Sequence, residues 1–284
     1  SDIVGADSMG WRYDPIFINE EYTLEKHIES FEYIVNSLSD YTTEAIISFI
    51  DLYEKTKRNF PKIKEVNKDE RLMIGKEFAK IGKENNILIK EKRRAEGLHK
   101  VLYQCPHCKK ETMASEGTHI FCTSCGKKWE LCESGELKAT EGETEFPHVP
   151  DWYLWEREQV KAEIERGEYS FSDDVDVYTQ PRCWKFDHIG PGKITHDEEN
   201  GFILTGHYRG QDYRTQRLPI QNNSLHIEYD WVYVKPYDCF EISVENDSFY
   251  CYPTKQNVIT KLAFATEILY ERASQKKNTP VKKA

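Results

Sequence analysis

The sequence predicts an α+β protein, with a helical amino-terminal part, a small metal-holding module and an antiparallel β-rich domain closed by a helix. Three observations carry this. Apolar residues recur at three- and four-residue steps up to about residue 85, two Cys-x-x-Cys pairs follow, and from about residue 168 the apolar period changes to two. The chain has 284 residues, and 49 acidic against 39 basic side chains give it a net charge of -10. Apolar residues make up only 38%, yet 17 Tyr, 13 Phe and 6 Trp supply enough buryable surface to rule out disorder throughout. The length suggests two domains, and the acidity argues against wholesale binding to nucleic acid or anionic lipid. No apolar run is long enough for a membrane helix and no signal peptide opens the chain, so the expected location is cytoplasmic, or peripheral on the inner membrane face.

Residues 1–100 are expected to form a helical subdomain. An irregular lead-in (1–18, with Trp11, Tyr13, Pro15 and Phe17) precedes a helix over about 20–38, striped by Leu24, Ile28, Phe31, Val35 and Leu38. A second helix is expected over 42–56, capped by Thr42 or Thr43, with Ile46, Phe49, Ile50 and Tyr53 on one face. A third starts at Asn67, with Glu70 at capping-box spacing and Ile74, Phe78 and Ile81 buried. The basic stretch that follows, with Lys90, Lys92, Arg93 and Arg94, has two readings. Lys92, Arg93 and Arg94 can contact phosphate on a headgroup or a nucleic acid, or the stretch is a solvated connector, and the interleaved Glu91 and Glu96 favour the connector.

The module over 101–132 holds Cys105-Pro-His-Cys108 and Cys122-Thr-Ser-Cys125, thirteen residues apart. Each pair lets two thiolates converge on one ion, and two pairs complete a tetrahedron, so the expected cofactor is one structural Zn2+ on Cys105, Cys108, Cys122 and Cys125 in a zinc ribbon. Gly126 suits the knuckle turn after the second pair, and with four thiolates present His107 and His119 are left to the surface. Such a site has no open position, so it folds the module and does not activate water. Disulfides are disfavoured without a secretion signal. Cys132, Cys183, Cys239 and Cys251 show no metal spacing, and the last two read as buried thiols in strands.

An acidic linker is expected over 133–150. Asp151 then caps a helix through Trp152, Tyr153, Trp155, Val160 and Ile164 that stops at Gly167, with the aromatics read as core more than as an interfacial anchor. The domain over 151–275 continues with short strands at 202–205, 225–229, 231–234, 239–244 and 249–252, separated by turns such as Gly190-Pro191-Gly192. A closing helix carries Val258, Leu262, Ala265 and Leu269, and 276–284 form a basic tail. Many strands followed by one helix resemble a pleckstrin-homology-like (PH-like) barrel.

Phosphate-loop, nucleophile-elbow and zincin motifs are missing from the sequence. His207-Tyr-Arg-Gly-Gln-Asp212 matches the His-x4-Asp pattern in which histidine acts as base on an acceptor hydroxyl. Nine histidines in an acid-rich chain produce such a hit by chance about half the time. Here Arg209-Gly210 reads as a turn between two strands, so the motif is judged a decoy and no catalytic residue is assigned. Asp173, Asp174 and Asp176 suggest either a cation site or a solvated acidic loop, and the loop is the favoured reading.

From about Ile87 to Glu271 the chain resembles the carboxy-terminal extension of bacterial 1-acyl-glycerol-3-phosphate (lysophosphatidate) acyltransferase-type proteins. The matching phrases run from Arg94 to Cys108 (RAEGLHKVLYQCPHC), from Leu137 to Tyr153 (LKATEGETEFPHVPDWY), from Leu225 to Tyr229 (LHIEY) and from Ala265 to Tyr270 (ATEILY). The resemblance implies zinc on the four cysteines, a place in phospholipid biosynthesis, and an acyltransferase domain or membrane surface as partner. It carries over no acyltransfer residues, because the family's histidine and aspartate lie in an amino-terminal domain not found here, and it implies that Ser1 begins a fragment. The function expected is therefore that of a non-catalytic, zinc-binding accessory region. The alternative is a stand-alone zinc-ribbon module that binds a protein partner or nucleic acid, with nucleic acid ranked lower.

Overall fold

A computed structural model describes residues 10–42, 44–85, 88–182, 185–230, 237–244, 247–255 and 257–278. The expected strand at 231–234, Cys183 and the end of the basic tail lie outside the described residues. The fold is mixed α/β with antiparallel sheets and a carboxy-terminal helix, as the sequence predicts. Two compact units divide the chain, Ser1–Arg94 with Glu130–Lys138, and Ala95–Trp129 with Ala139–Ala284.

The first unit is not wholly helical. The lead-in contains strand β1 (Gly10–Ile16), and helix α1 (Leu24–Leu38) leads to strand β2 (Glu44–Phe49), which pairs with β1 in parallel. The helix expected over 42–56 is thus replaced by β2 and the short helix α2 (Glu54–Asn59). The helical spacing of Ile46, Phe49 and Tyr53 misleads because a period of two is present in the same residues. Ala45, Ile47 and Phe49 pack on the core, whereas Ile46 and Tyr53 are exposed. Helix α3 (Lys68–Glu84) begins with the expected capping box between Asn67 and Glu70 and completes the core, where Phe78 stacks on Phe31 at 3.7 Å. His27 on α1 is also buried. Its Nε2 lies 2.7 Å from the Phe17 carbonyl, which can only accept, so Nδ1 accepts the Tyr13 hydroxyl hydrogen at 2.9 Å in the neutral ring.

Helix α4 (Leu98–Val101) precedes the ribbon strands β3 (Met113–Glu116), β4 (His119–Cys122), β5 (Lys128–Leu131) and β6 (Leu137–Ala139), which are ordered β3-β4-β5-β6. Of these, α4, β3 and β4 belong to the second unit, whereas the end of β5 and the start of β6 fall in Glu130–Lys138 of the first. Strand β6 shows that the acidic linker is partly structured. Helix α5 (Val149–Glu165) starts three residues earlier than expected, with His148 as its cap and Asp151 inside its first turn. Of that aromatic cluster Trp152 is fully buried, as the core reading expects, whereas Trp155 is half-buried and Tyr153 is exposed.

Strands β7 (Phe171–Arg182), β8 (Lys185–Asp197), β9 (Gly201–Tyr208), β10 (Gln211–Arg217), β11 (His226–Glu228), β12 (Cys239–Val244) and β13 (Asp247–Pro253) form one sheet ordered β10-β9-β8-β7-β13-β12-β11. Helix α6 (Ile259–Asn278) follows and contributes Ile259 and Leu262 to the core. The ring centroids of Phe202 on β9 and Phe240 on β12 are 6.0 Å apart although three strands separate them in the sheet order. The sheet therefore curls over its own apolar face. Gly190-Pro191-Gly192 is not a turn but lies within β8, where the register with β7 shifts beside Gly190 (φ +105°). Asp173, Asp174 and Asp176 likewise belong to β7 and not to a loop. Asp173 is buried and accepts from the Thr254 hydroxyl at 2.7 Å and the Lys255 amide at 2.9 Å.

Candidate metal centre

The two cysteine knuckles repeat one backbone design. The Cys105 amide donates to the Lys110 carbonyl and the Cys122 amide to the Lys127 carbonyl, both at 2.9 Å. Each turn is closed four residues after its first cysteine. Lys109 donates back to the Cys105 carbonyl and Gly126 to the Cys122 carbonyl, again at 2.9 Å. Both closing residues are left-handed, with φ 65° at Lys109 and 77° at Gly126. Glycine takes that conformation freely, whereas lysine is held in it by the surrounding bonds.

These turns bring the sulfurs of Cys105, Cys108, Cys122 and Cys125 within 4.8 Å of one another. The Cys105–Cys125 and Cys108–Cys122 separations are 3.8 and 3.6 Å. A tetrahedral ion with bonds of about 2.3 Å to thiolate requires sulfur–sulfur edges of about 3.8 Å, so the cluster has the size of a four-thiolate shell. Four close cysteines that can hold a metal ion are thus present where the spacing predicts them.

The thiols are not equivalent. Burial works against charge on Cys122, but hydrogen bonds from the Thr112 hydroxyl and the Cys125 and Ser124 amides outweigh it and lower the thiol to about 6. At Cys105 burial dominates and pushes the thiol up. The Cys108 amide points to Cys105 Sγ at 3.5 Å, and the Thr112 hydroxyl lies 3.4 Å from Cys122 Sγ. Cys239 and Cys251 are buried in strands, as expected. Burial raises Cys239 to about 12 and Cys251 further, which makes both poor nucleophiles.

The remaining candidate residues do not join this centre. Lys92 and Arg93 are exposed, but the Arg94 side chain is only 9% exposed. Arg94 donates to the carbonyls of Leu131 and Glu91 and to Glu130 Oε1, so its guanidinium is engaged within the fold. His207 and Asp212 face each other across the β9–β10 hairpin, as the strand–turn–strand reading predicts. Their Nδ1–Oδ1 distance is 2.8 Å, and their side chains are 62% and 93% exposed.

Sequence reasoning missed Gln104, Thr112, Lys109 and Glu156. Aligning CPHCKK with CTSCGK would have placed Lys109 opposite Gly126. Glu156 sits on the four-residue stripe Trp152, Glu156, Val160, Ile164, the buried face of α5, where a lone acid among apolar residues is itself a signal. Burial raises its carboxyl well above the usual range, against the pull of the Gln104 and Tyr103 amides.

The fold and this cluster define the class, a mixed α/β protein with a ribbon whose four cysteines can hold a metal ion, followed along the chain by a curled antiparallel sheet. Among known families, the pattern of DUF1848, a domain of unknown function, matches residues 1–133. That match includes all four cysteines and ends before α5 and the sheet. No curated protein matches the chain.

Proposed function

We propose that the chain is a zinc-binding, non-catalytic accessory region of a lysophosphatidate acyltransferase-like protein of phospholipid biosynthesis. The observation that carries the zinc assignment is the four-thiolate cluster. Its soft donors and tetrahedral edges suit Zn2+ and leave no position for substrate, so the ion would hold the ribbon together. The acyltransferase context is supported by the phrases around Arg94–Cys108 and Leu137–Tyr153. The PH-like reading is supported by a sheet of four strands and then three, whose first and last members pair, followed by α6. Exposure of both His207 and Asp212 favours a non-catalytic role, because nothing at the hairpin shields a base from water. The partner in this reading is an acyltransferase domain or the cytoplasmic face of a membrane. No helix among the described residues is long and apolar enough to cross a membrane.

Two measurements test the proposal together. Elemental analysis of the purified chain should find one zinc per molecule, and an acyl-thioester assay with lysophosphatidate should give no turnover. Robust acyl transfer that His207→Ala abolishes would overturn the non-catalytic assignment, and a chain without zinc would overturn the metal assignment. The exposed Lys92 and Arg93 favour a second reading, a stand-alone ribbon module that binds a protein partner or nucleic acid. Salt-sensitive RNA or DNA binding, lost on neutralising both residues, would move the assignment there.

A further inference from the structure

Helix α5 carries two buried polar contacts that the metal reading does not by itself require. Glu156 Oε1 accepts the Gln104 amide hydrogen at 2.7 Å, and Trp152 Nε1–H donates to the Gln104 carbonyl at 2.9 Å. The residue immediately before the first cysteine is therefore gripped at both its amide and its carbonyl by side chains that are 0% exposed. The second knuckle reaches the same helix by another route. Trp129, four residues beyond Cys125, packs against Trp152 with ring centroids 4.9 Å apart, and its indole donates to Glu145 Oε2 at 3.1 Å. Glu145 in turn pairs with Lys127 at 2.7 Å, and the Lys127 carbonyl accepts the Cys122 amide.

The choice of residue at 156 is informative. The other buried positions on that stripe are Trp152, Val160 and Ile164, and an aliphatic residue at 156 would continue it. It would also leave the Gln104 N–H buried without an acceptor, which is destabilising. The carboxyl keeps its second oxygen, Oε2, buried with no hydrogen-bond partner, so one oxygen does the gripping. A glutamate here contributes little as packing and much as an acceptor for the chain that enters the first knuckle.

We propose that Glu156 and Trp152 are positioning residues of the metal centre, which hold the two cysteine pairs at the separation one ion requires. This rests on the reading of the four thiolates as metal ligands. It makes α5 part of the metal site although it supplies no ligand, and it makes the tryptophan fluorescence of the ribbon responsive to metal occupancy.

The test measures zinc affinity of the full chain by competition with a chromophoric chelator. Loss of an outer hydrogen-bond partner weakens metal binding about 10- to 100-fold, and that range is expected for Glu156→Ala. Glu156→Gln retains an acceptor oxygen and should restore affinity close to that of the unmodified chain. Glu158→Ala, an exposed position on the same helix, should change nothing. Rescue by Gln separates positioning from simple loss of volume. Should Glu156→Ala fail to fold, Trp152→Phe keeps a ring while deleting the Nε1–H donor, and weaker zinc binding is expected there too. Unchanged affinity in the folded Glu156→Ala protein, or in Trp152→Phe if it alone folds, overturns this inference and leaves the metal reading intact. An unmodified chain that takes up no zinc overturns both.

Discussion

The ribbon and the seven-stranded sheet are both antiparallel β structures, but they hold together by different means. The sheet curls around an apolar cluster that includes Val177, Ile194, Phe202, Leu204, Phe240 and Cys251, all at 1% exposure or less, and α6 adds to it. The ribbon strands β3, β4 and β5 are four residues long. Strands that short bury too little surface to offset chain entropy, so the thiolate cluster and the clamp from α5 must supply the difference. One region is stabilised by area and the other by a few directed bonds. Each should therefore fail under a different insult.

The largest effect should come from metal removal. Apparent binding free energies for structural zinc in small domains run to about 10–16 kcal/mol, much of which is folding free energy. Chelation, or Cys108→Ser, is expected to unfold residues 102–131 while leaving the sheet folded. Hydrogen exchange should show amide protection lost at Cys105, Cys122 and Gly126 and retained along β7–β9. Simultaneous loss in both regions would mean that the sheet also depends on the ion.

The converse test is Phe240→Ala. Phe240 is fully buried and its ring lies 6.0 Å from Phe202, so truncation should cost about 3–5 kcal/mol. Denaturant unfolding would report that loss, and zinc stoichiometry should stay at one. A variant that loses its zinc would tie the two regions more tightly than their bonding suggests.

Acid should also tell them apart. Burial holds His196 neutral and lowers its pKa to about 3, while its ring stacks on Phe202 at 3.8 Å and Nδ1 lies 2.8 Å from the Tyr169 hydroxyl. The unfolded imidazole takes up its proton through about 6.5, so between 6.5 and 3 the unfolded chain binds the additional proton. Stability is therefore complete above about 6.5 and falls as the pH drops, by roughly 2 kcal/mol at pH 5. His196→Gln should flatten the pH dependence of unfolding of the sheet across this window. An unchanged slope would mean that another group carries it.

The same contrast explains what the sequence made legible. Directed bonds have spacing, so both Cys-x-x-Cys pairs and the Asn67–Glu70 box could be read residue by residue. Helices α1, α3, α5 and α6 were legible from their stripes, and strands β9, β12 and β13 from alternation. The β2 segment misled because Ile46, Phe49, Ile50 and Tyr53 satisfy a helical period, and only pairing with β1 decides in favour of a strand. Long β7 and β8 were hidden because their outer faces carry Asp174, Asp176, His188 and Lys193, which read as loop until the sheet is formed. Glu156 was missed because an acid on a helix is ordinarily solvated, and its burial follows from the knuckle packed against it.

The smallest effect returns to the two knuckles. A Cβ on Gly126 would meet no atom within 4 Å, so Gly126→Ala isolates the left-handed backbone term at φ 77° and should destabilise the ribbon by about 1 kcal/mol. Lys109→Gly removes the same strain, but it also removes the ammonium held 4.4 Å from the Trp155 ring centroid, a contact of about 0.5–1 kcal/mol. The two terms oppose, so its net effect should stay within about 0.5 kcal/mol of zero. Thermal unfolding of both zinc-loaded variants reads the difference. A Lys109→Gly protein as destabilised as Gly126→Ala would mean that the lysine's stacking on α5 outweighs its backbone strain. The first knuckle would then be held by its side chain where the second is held by its glycine.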